Sequence, residues 1–456
     1  DFRFFNPCNE SMDVRIEYMP GGTNNSGEDL VFREFSLAAA ETKVFADIVE
    51  AIPDLVDEEL TGSVRIESTS GSGCKVLSVS RTFNDTPDGS LGLFVPVVPV
   101  KAVGGGRLDF TGLISNASYR TNLRLVNNGD DDEWVALTIL DRNGNPLAES
   151  RSVKVRGQST KQVSEVAAWL GVTDDVGLFT VRAETFTANV EGFTTVVDNI
   201  SGDSVLNRYS FLNENKVWLV GVAHNFGPNG AQWRTDLWMY NPTPNWLKGE
   251  VEYVVGDSPN DRYGFALPTL GDGRVVRRLD LAGDLLGGEE TRGYLVFEGE
   301  NGGPAPQIAA RTYNLDEYGG SYGLSLPTYG SNELLFPGEK GFITGLSNSA
   351  DSNVGFRTNL GILNTDTNRW TKVRIVLYNL DGTIAGEEPS LAIAPGVMRQ
   401  FDVFKKLGLD DVTMVGSIEV EVLSGGGAAV YATEIDNRTQ DSIFIPAQHL
   451  LIGAVQ

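Results

Sequence analysis

The residues of this chain whose types could support chemistry are few, and they lie far apart. Among its 456 residues there are two histidines, His224 and His449, and no C-x-x-C or H-E-x-x-H motif. General acid–base catalysis and zinc binding both need several suitable groups in one place. We therefore expect both histidines to be structural residues near strand ends, and we expect neither a cofactor nor a metal ion.

One short segment matches the pattern of a catalytic serine. Gly319-Gly-Ser-Tyr-Gly323 has the form G-x-S-x-G, which in hydrolases places the serine on a turn between a strand and a helix, followed by an acid and a histidine. Here the segment falls at the turn that ends a repeat, and the corresponding segment Gly89-Ser-Leu-Gly92 lacks the motif. The sequence therefore predicts that the protein is not an enzyme.

A run of four acidic residues is the weak candidate for a cation site. Asp130, Asp131, Asp132 and Glu133 are consecutive, and hard cations such as Ca²⁺ prefer clustered oxygen ligands. The run lies in the loop after a predicted strand, and the corresponding loops elsewhere in the chain lack it. We therefore favour a solvated loop over a metal site.

The two cysteines, Cys8 and Cys74, are the only ones in the chain. Cys8 follows one predicted strand and Cys74 precedes another, so an antiparallel pairing of those strands would bring the two together. A disulfide would indicate an oxidising location, outside the cytoplasm or on the cell surface. The alternative is a pair of unpaired thiols in a reducing compartment.

The elements that position these residues belong to a repeat. A nine-residue signature starts with aromatic-Arg-Thr-Asp/Asn-Leu and ends in Asn. Its copies begin at Tyr119, Trp233 and Phe356, and the chain opens inside a fourth copy at Asp1. The period predicts four domains, each large enough to hold its own core. The predicted divisions are 1–95, 96–212, 213–335 and 336–446, followed by a C-terminal segment, 447–456.

Each repeat is expected to be mostly β structure. Asn143-Gly144 and Asp381-Gly382 predict tight type I′ hairpin turns. Asp402, ahead of a short amphipathic segment that stops at Gly408, predicts a capped helix. Short strands separated by such turns are typical of a β-sandwich. The predicted fold is all-β, with four antiparallel β-sandwich domains that each carry one short helix.

The repeats end in two alternating ways. Repeats 1 and 3 carry an Arg-Thr-aromatic-Asn segment and then a Gly-Ser-x-Gly segment, starting at Arg81 and at Arg311. Repeats 2 and 4 instead carry Asp-Asn and then Asp-Ser, starting at Asp198 and at Asp436.

The signature, the Asp-Gly hairpin and the closing Ile-Pro-Ala resemble the immunoglobulin-like β-sandwich repeats of bacterial secreted and surface proteins. The resemblance covers nearly the whole chain, but its motifs are structural and imply no activity. The expected assembly is similar in logic to that of filament subunits that complete one another with a donated strand.

Repeats 2 to 4 each begin with an apolar strand that ends near Gly112, Gly221 or Gly345, and repeat 1 lacks this strand. The C-terminus carries a spare apolar segment. We therefore expect head-to-tail polymers of identical copies, in which this segment enters the repeat 1 of the next subunit. The predicted donor residues are Leu450, Leu451, Ile452, Gly453, Ala454 and Val455; the predicted acceptor residues are Phe2, Phe4, Phe5 and Asn6.

The acidic net charge of the chain disfavours some classes of binding partner. The formal net charge of −25 argues against nucleic acid and anionic membranes, which select basic surfaces, and no apolar run is long enough to cross a bilayer. Glycans are possible partners, since six N-x-S/T sequons occur, at Asn9, Asn24, Asn84, Asn116, Asn199 and Asn437.

Three rival interpretations stand beside the filament subunit. The alternative function is a monomeric surface adhesin or carbohydrate-binding array, with Trp218, Trp233, Trp238 and Trp246 as a sugar platform. The chain could also be a piece cut from a longer protein, or an enzyme, which the shortage of catalytic groups disfavours. A secondary alternative is that its C-terminal strand folds back on its own repeat 1. We rank the fold-back below exchange between chains because four domains in a row would separate the ends unless the array curls.

Overall fold

The computed structural model describes residues 1–55, 61–70, 74–87, 89–97, 106–187, 189–209, 212–227, 230–315 and 318–449. This part of the chain is predominantly β, in several antiparallel sheets with four short helices. The prediction of an all-β protein is thereby confirmed at the level of its class.

Repeat 1 forms two antiparallel sheets, with the strand orders β4-β1-β6-β7 and β3-β2-β5. Its core lies between them and contains Phe4, Ile16 and Phe45. The elements are β1 (Phe2–Phe5), β2 (Met12–Pro20), β3 (Phe32–Leu37), β4 (Thr42–Phe45), α1 (Ile48–Ala51), β5 (Gly62–Ser68), β6 (Leu77–Thr86) and β7 (Gly89–Pro96).

Repeat 2 has the same plan with one strand more. Its sheets have the orders β11-β10-β13-β8 and β12-β9-β14-β15, and β8 is the additional strand. The elements are β8 (Arg107–Ser115), β9 (Tyr119–Asn127), β10 (Glu133–Leu140), β11 (Arg151–Val155), β12 (Ser159–Val163), α2 (Val166–Trp169), β13 (Val176–Glu184), β14 (Val190–Asp198) and β15 (Ser204–Arg208).

Repeat 3 follows this plan too, but its two sheets are joined where β16 pairs with β17. A short strand after its last long one, β24, pairs with β16. The elements are β16 (Lys216–Phe226), β17 (Gln232–Tyr240), β18 (Leu247–Val255), β19 (Ser258–Leu270), β20 (Val275–Arg278), α3 (Leu281–Leu286), β21 (Thr291–Gly299), β22 (Gln307–Leu315), β23 (Ser321–Ser325) and β24 (Thr328–Tyr329).

Repeat 4 has sheets with the orders β28-β27-β30-β25-β33 and β29-β26-β31-β32. Its strand β33 pairs with β25, as β24 pairs with β16 in repeat 3. The elements are β25 (Lys340–Asn348), β26 (Phe356–Asn364), β27 (Thr371–Asn379), β28 (Ile384–Ile393), β29 (Met398–Asp402), α4 (Val403–Lys406), β30 (Met414–Ser424), β31 (Ala428–Asp436), β32 (Ser442–Pro446) and β33 (Gln448–His449).

Local sequence accounts for the helix starts and turns. Asp402 caps α4 by accepting a hydrogen bond from the backbone N–H of Lys405, and Gly408 ends the turn with a φ of 75°, as predicted. The hairpin turns occur where expected, but their predicted type is wrong. Of the two central residues, Gly144 and Gly382 have positive φ and the preceding Asn143 and Asp381 do not, whereas a type I′ turn needs both.

The last residue of the signature is a structural clamp. Asn6, Asn127, Asn241 and Asn364 are fully buried. In each, the side-chain amide donates to a backbone carbonyl four or five residues ahead, and to another at the end of a later strand of the same repeat, which is β3, β11, β19 or β28. The amide oxygen accepts from the N–H two residues ahead. Because buried backbone groups need partners, an asparagine is retained here in every repeat.

The four repeats close into a ring. In each repeat the turn that follows β2, β10, β18 or β27 forms a backbone hydrogen bond with the start of the corresponding strand of the next repeat, which is β12, β20, β29 or β4. The pairs are Gly22 N to Thr160 O at 3.0 Å, Val275 N to Arg142 O at 3.0 Å, Met398 N to Gly256 O at 2.7 Å and Thr42 N to Leu380 O at 2.9 Å. The last of these joins repeat 4 to repeat 1. The expectation that four repeats in a row keep the chain ends apart is therefore wrong.

Candidate functional sites: the ring axis and the open sheet edge

The final strands of the repeats meet at the centre of the ring, where β7, β15, β23 and β32 each contact two others in cyclic order. Two of the four junctions carry a polar lock, defined as an Asp of one repeat bonded to the Gly-Ser-x-Gly segment of the next. Asp198 accepts from the Ser321 N–H and hydroxyl. Asp203 accepts from the Gly323 N–H at 2.9 Å.

The second polar lock repeats this geometry between repeats 4 and 1. Asp436 accepts from the N–H and hydroxyl of Ser90, both at 3.1 Å, and Asp441 accepts from the N–H of Gly92 at 2.7 Å. The alternating repeat ends in the sequence are thus the two complementary halves of one interface.

The two polar locks place ionisable side chains in the protein interior. Burial raises the pKa of Asp203 to about 7, although Arg311 lies 3.5 Å away. The pKa of Asp441 is also well above its usual range because of burial, and then because of the nearby charge of Asp203. Arg81 lies 3.6 Å from Asp441. The centre of the ring therefore holds two interacting carboxyl groups, each beside one arginine.

An ion pair adds to the junction between repeats 4 and 1. Arg3 and Glu434 are both buried, and the guanidinium donates to both carboxylate oxygens at 3.1 Å. Arg3 also donates to the carbonyl of Gly345. Burial alone would raise the pKa of Glu434, but the charge and hydrogen bonds of Arg3 outweigh it and lower that pKa. A bidentate pair of this kind fixes the orientation of the two repeats.

The first strands of repeats 2, 3 and 4 contribute to the junctions in a shared way. Strands β8, β16 and β25 pair with β13, β21 and β30 of their own repeats, and each has a register shift at a glycine with positive φ. At Gly112 and Gly345 a side chain would meet residues of the next repeat, Ala309 and Arg3 respectively. The first strands β8 and β25 therefore also pack on a neighbouring repeat.

Repeat 1 has an open sheet edge, which is the outer side of β5. Its counterparts β13, β21 and β30 each pair with a first strand, whereas β5 pairs with β2 alone among the described residues. The neighbouring surface of repeat 2 contacts the start of β5 through Arg124, which donates to the carbonyl of Gly62 at 3.4 Å. The hydroxyl of Ser63, which lies on β5 itself, is buried without a hydrogen bond.

The structure places the predicted acceptor residues away from this edge. Strand β1, with Phe2, Phe4 and Phe5, is paired on both sides, by β4 and β6. Phe4 lies in the core of repeat 1, and Phe5 contacts the rings of Phe342 and Tyr378 in repeat 4. Asn6 is the clamp described above.

Of the predicted C-terminal donor segment, residues 450–456 lie outside the described part of the chain. The residues just before them are placed. His449 pairs with Gly341 of β25, and the side-chain amide of Gln448 donates to the carbonyl of Ser78 in repeat 1 at 3.2 Å. The chain therefore reaches its own repeat 1 at this point.

The residues considered for catalysis are held in structural contacts. His224 bonds through Nδ1 to Asp280 at 2.8 Å, and His449 bonds through Nε2 to the carbonyl of Glu333 at 3.1 Å. Ser321 is fully buried and donates its hydroxyl to Asp198 at 2.6 Å. These side chains occupy three separate places, and the hydroxyl of Ser321 bonds to an acid rather than to a histidine.

The acidic run is likewise engaged by the protein. Asp132 pairs with Lys154 and Arg156, both at 2.7 Å, and these hydrogen bonds lower its pKa. Glu133 accepts from two backbone N–H groups, and Asp130 accepts from a glutamine side chain. Within the described ranges, no group of three or more possible ligands is arranged for a metal ion.

The four tryptophans proposed as a sugar platform do not share a surface. Trp238 is buried against repeat 2, and Trp218 packs on the core of repeat 3. Trp246 is 69% exposed. The remaining member, Trp233, is partly buried.

The predicted disulfide is confirmed, since Cys8 and Cys74 are bonded with their Cα atoms 6.5 Å apart. This pairing is compatible with an extracellular location. In the parts of the chain that the structure describes, no helix is long and apolar enough to cross a membrane. No protein-family model matches the chain, and no curated protein matches it with significant similarity.

Proposed function

We propose that the protein is a structural subunit of an extracellular filament, built from four immunoglobulin-like β-sandwich domains, and that it assembles by accepting an extended strand beside β5. The observation that carries this proposal is the open edge of repeat 1. Its three sister repeats have a strand at the same place, so the fold has a position that a further strand can occupy.

The physical reason is the cost of an unpaired edge. A strand edge exposes a row of backbone N–H and C=O groups that readily pair with another chain. The unpartnered hydroxyl of Ser63 lies on β5 itself. An added strand would give β5 the partner that β13, β21 and β30 already have.

The occupant that we propose is the segment Leu450–Val455 of a second copy. It is apolar, as are the first strands β8, β16 and β25. Because such a contact joins two different surfaces, it propagates into a fibre unless the rotation between subunits closes a ring. The contact of Gln448 with Ser78 supports a competing arrangement, in which the segment docks on its own repeat 1.

Removing residues 450–456 separates these arrangements. The full chain and the truncated chain are compared by light scattering after size exclusion, by electron microscopy and by thermal unfolding. Exchange between copies predicts fibres or oligomers that disappear on truncation and are blocked by an added peptide of sequence QHLLIGAVQ. A monomeric full chain that loses thermal stability on truncation would indicate docking on its own repeat 1. Unchanged assembly and stability would contradict both.

A surface-binding role is a second candidate, favoured by one observation. Trp134, Trp246 and Trp370 are 55%, 69% and 57% exposed, and each lies within one residue of the start of the corresponding strand, β10, β18 or β27. Exposed aromatic rings at a repeated position suit stacking on sugar rings. A glycan array with the wild type and Trp246→Ala tests this role, which requires binding that the substitution weakens.

A further inference from the structure

An apolar cavity lies where the final strands of the four repeats meet. Its volume is about 150 Å³, and residues of β7, β15, β23 and β32 line it, together with part of β22. The walls include Leu93, Phe94, Leu324, Ile443 and Phe444. An apolar cavity of about this volume in another protein stays dry and binds benzene, so the space suits a ring or a short alkyl chain.

One position in the wall departs from the symmetry of the ring. The final strands β7 and β32 both end in a proline that is paired with the neighbouring strand, Pro96 and Pro446. At the same place β15 ends in Arg208. Arg208 is the one charged residue among the described residues that line the cavity. The arginine therefore makes one side of an otherwise uncharged cavity positive.

Among the described residues, the guanidinium of Arg208 has no counter-ion within contact distance, and no hydrogen bond or ion pair joins it to any of them. The carboxylate of Glu191 is the charge that acts on it most, yet one oxygen of Glu191 has no hydrogen-bond partner. Arg208 is exposed to solvent, so its donors can serve a molecule that enters the cavity.

We propose that this axial cavity binds a small amphiphilic anion, with its apolar body between the final strands and its carboxylate on Arg208. Five N–H donors in a planar fork suit a carboxylate, which can accept two of them at once. A cation would be repelled by the same residue. The cavity is separate from the open edge of β5. A result that contradicts ligand binding in the cavity therefore leaves the filament proposal untouched, and the reverse also holds.

The test uses the full chain and a matched pair of probes, 3-phenylpropionate and the neutral 3-phenylpropan-1-ol. Dissociation constants are measured by saturation-transfer NMR titration for the wild type, Arg208→Gln and Lys161→Gln, an exposed cation on the same repeat. A fourth variant, Ser325→Phe, fills the cavity from β23, and circular dichroism checks its fold.

We expect the acid to bind at least about tenfold more tightly than the alcohol, since a hydrogen bond to a charged group is worth a factor of this size. Arg208→Gln should remove that preference, Lys161→Gln should keep it, and Ser325→Phe should abolish binding of both probes. If Ser325→Phe does not fold, the comparison of the two charge variants decides alone. Equal binding of acid and alcohol to the wild type, an unaltered preference in Arg208→Gln, or no saturable binding would each overturn the proposal.

Discussion

Replacing Arg3 with methionine tests the junction between repeats 4 and 1 through the buried ion pair of Arg3 with Glu434. Methionine keeps much of the side-chain volume but removes both hydrogen bonds to Glu434, the one to the carbonyl of Gly345 and the pair with Asp1. Glu434 then stays buried, with the backbone N–H of Ser347 as its remaining partner. The perturbation therefore leaves an uncompensated carboxylate between the two repeats.

The magnitude follows from that geometry. Removing one partner of a buried ion pair costs about 3–5 kcal/mol, and we expect Arg3→Met to lower the free energy of unfolding by about 4 kcal/mol at neutral pH. Arg3 lowers the pKa of Glu434 in the folded protein, so the pair stabilises the fold above the pKa that Glu434 has when unfolded. That contribution is lost as the pH falls through the lower, folded value. The deficit of Arg3→Met should therefore shrink as the solution is acidified.

The assay is urea unfolding followed by far-UV circular dichroism, at neutral pH and near pH 4. Arg374→Met is the matched control, because its pair with Glu387 is about one-third exposed on each side and is worth about 0–1 kcal/mol. The double variant Arg3→Met/Glu434→Gln should be more stable than Arg3→Met alone, since it removes the stranded charge. If Arg3→Met costs no more than Arg374→Met, repeats 4 and 1 are not in contact in solution and the reasoning fails.

Three further predictions concern single positions. Gly345→Ala should lower the melting temperature by several degrees more than Gly338→Ala, since both have positive φ but only at Gly345 would the new methyl group meet Arg3; equal shifts would contradict the junction. The pKa of Asp203 in the folded protein is raised to about 7. Ionisation of this carboxyl group therefore lowers the free energy of unfolding as the pH rises from about 4 to 7. Asp203→Asn should therefore flatten the fall in melting temperature over that interval, and an unchanged slope would show that Asp203 ionises normally. Asn241→Ala should cost about 2–4 kcal/mol in urea unfolding because it leaves two buried carbonyls without donors, whereas the exposed Asn353→Ala should cost little; similar values would rule out the clamp.

Features that depend on near neighbours were predictable from the sequence. A carboxylate at Asp402 can reach the N–H of Lys405 whatever the rest of the fold does, so the start of α4 followed from the sequence. The pairing of Cys8 with Cys74 followed from the position of each beside a strand. The turn type did not, because Asn143 tolerates either sign of φ and the strand register decides which it adopts.

The ring and the open edge were harder to predict because they depend on contacts across hundreds of residues. The sequence held a signal for the ring, since repeats 2 and 4 carry the acceptor carboxylates, such as Asp441, and repeats 1 and 3 carry the matching donors, such as Gly92. Periodicity shows such an alternation but does not say which repeat meets which. Among the described residues, the unpaired edge of repeat 1 is at β5 rather than at Phe2–Phe5, because β1 already has two neighbours.

The closure of the ring within one chain is tested most directly by a cysteine pair across the junction. The hydroxyl groups of Thr42 and Ser417 are 2.7 Å apart and buried between repeats 1 and 4, and the native cysteines are already paired. Thr42→Cys/Ser417→Cys is oxidised with copper phenanthroline at low protein concentration, and the products are analysed by non-reducing electrophoresis and by mass spectrometry of linked peptides. Closure predicts a monomer in which the peptides containing positions 42 and 417 are joined. Absence of the link, or a ladder of covalent multimers, would show that repeat 4 does not close on its own repeat 1.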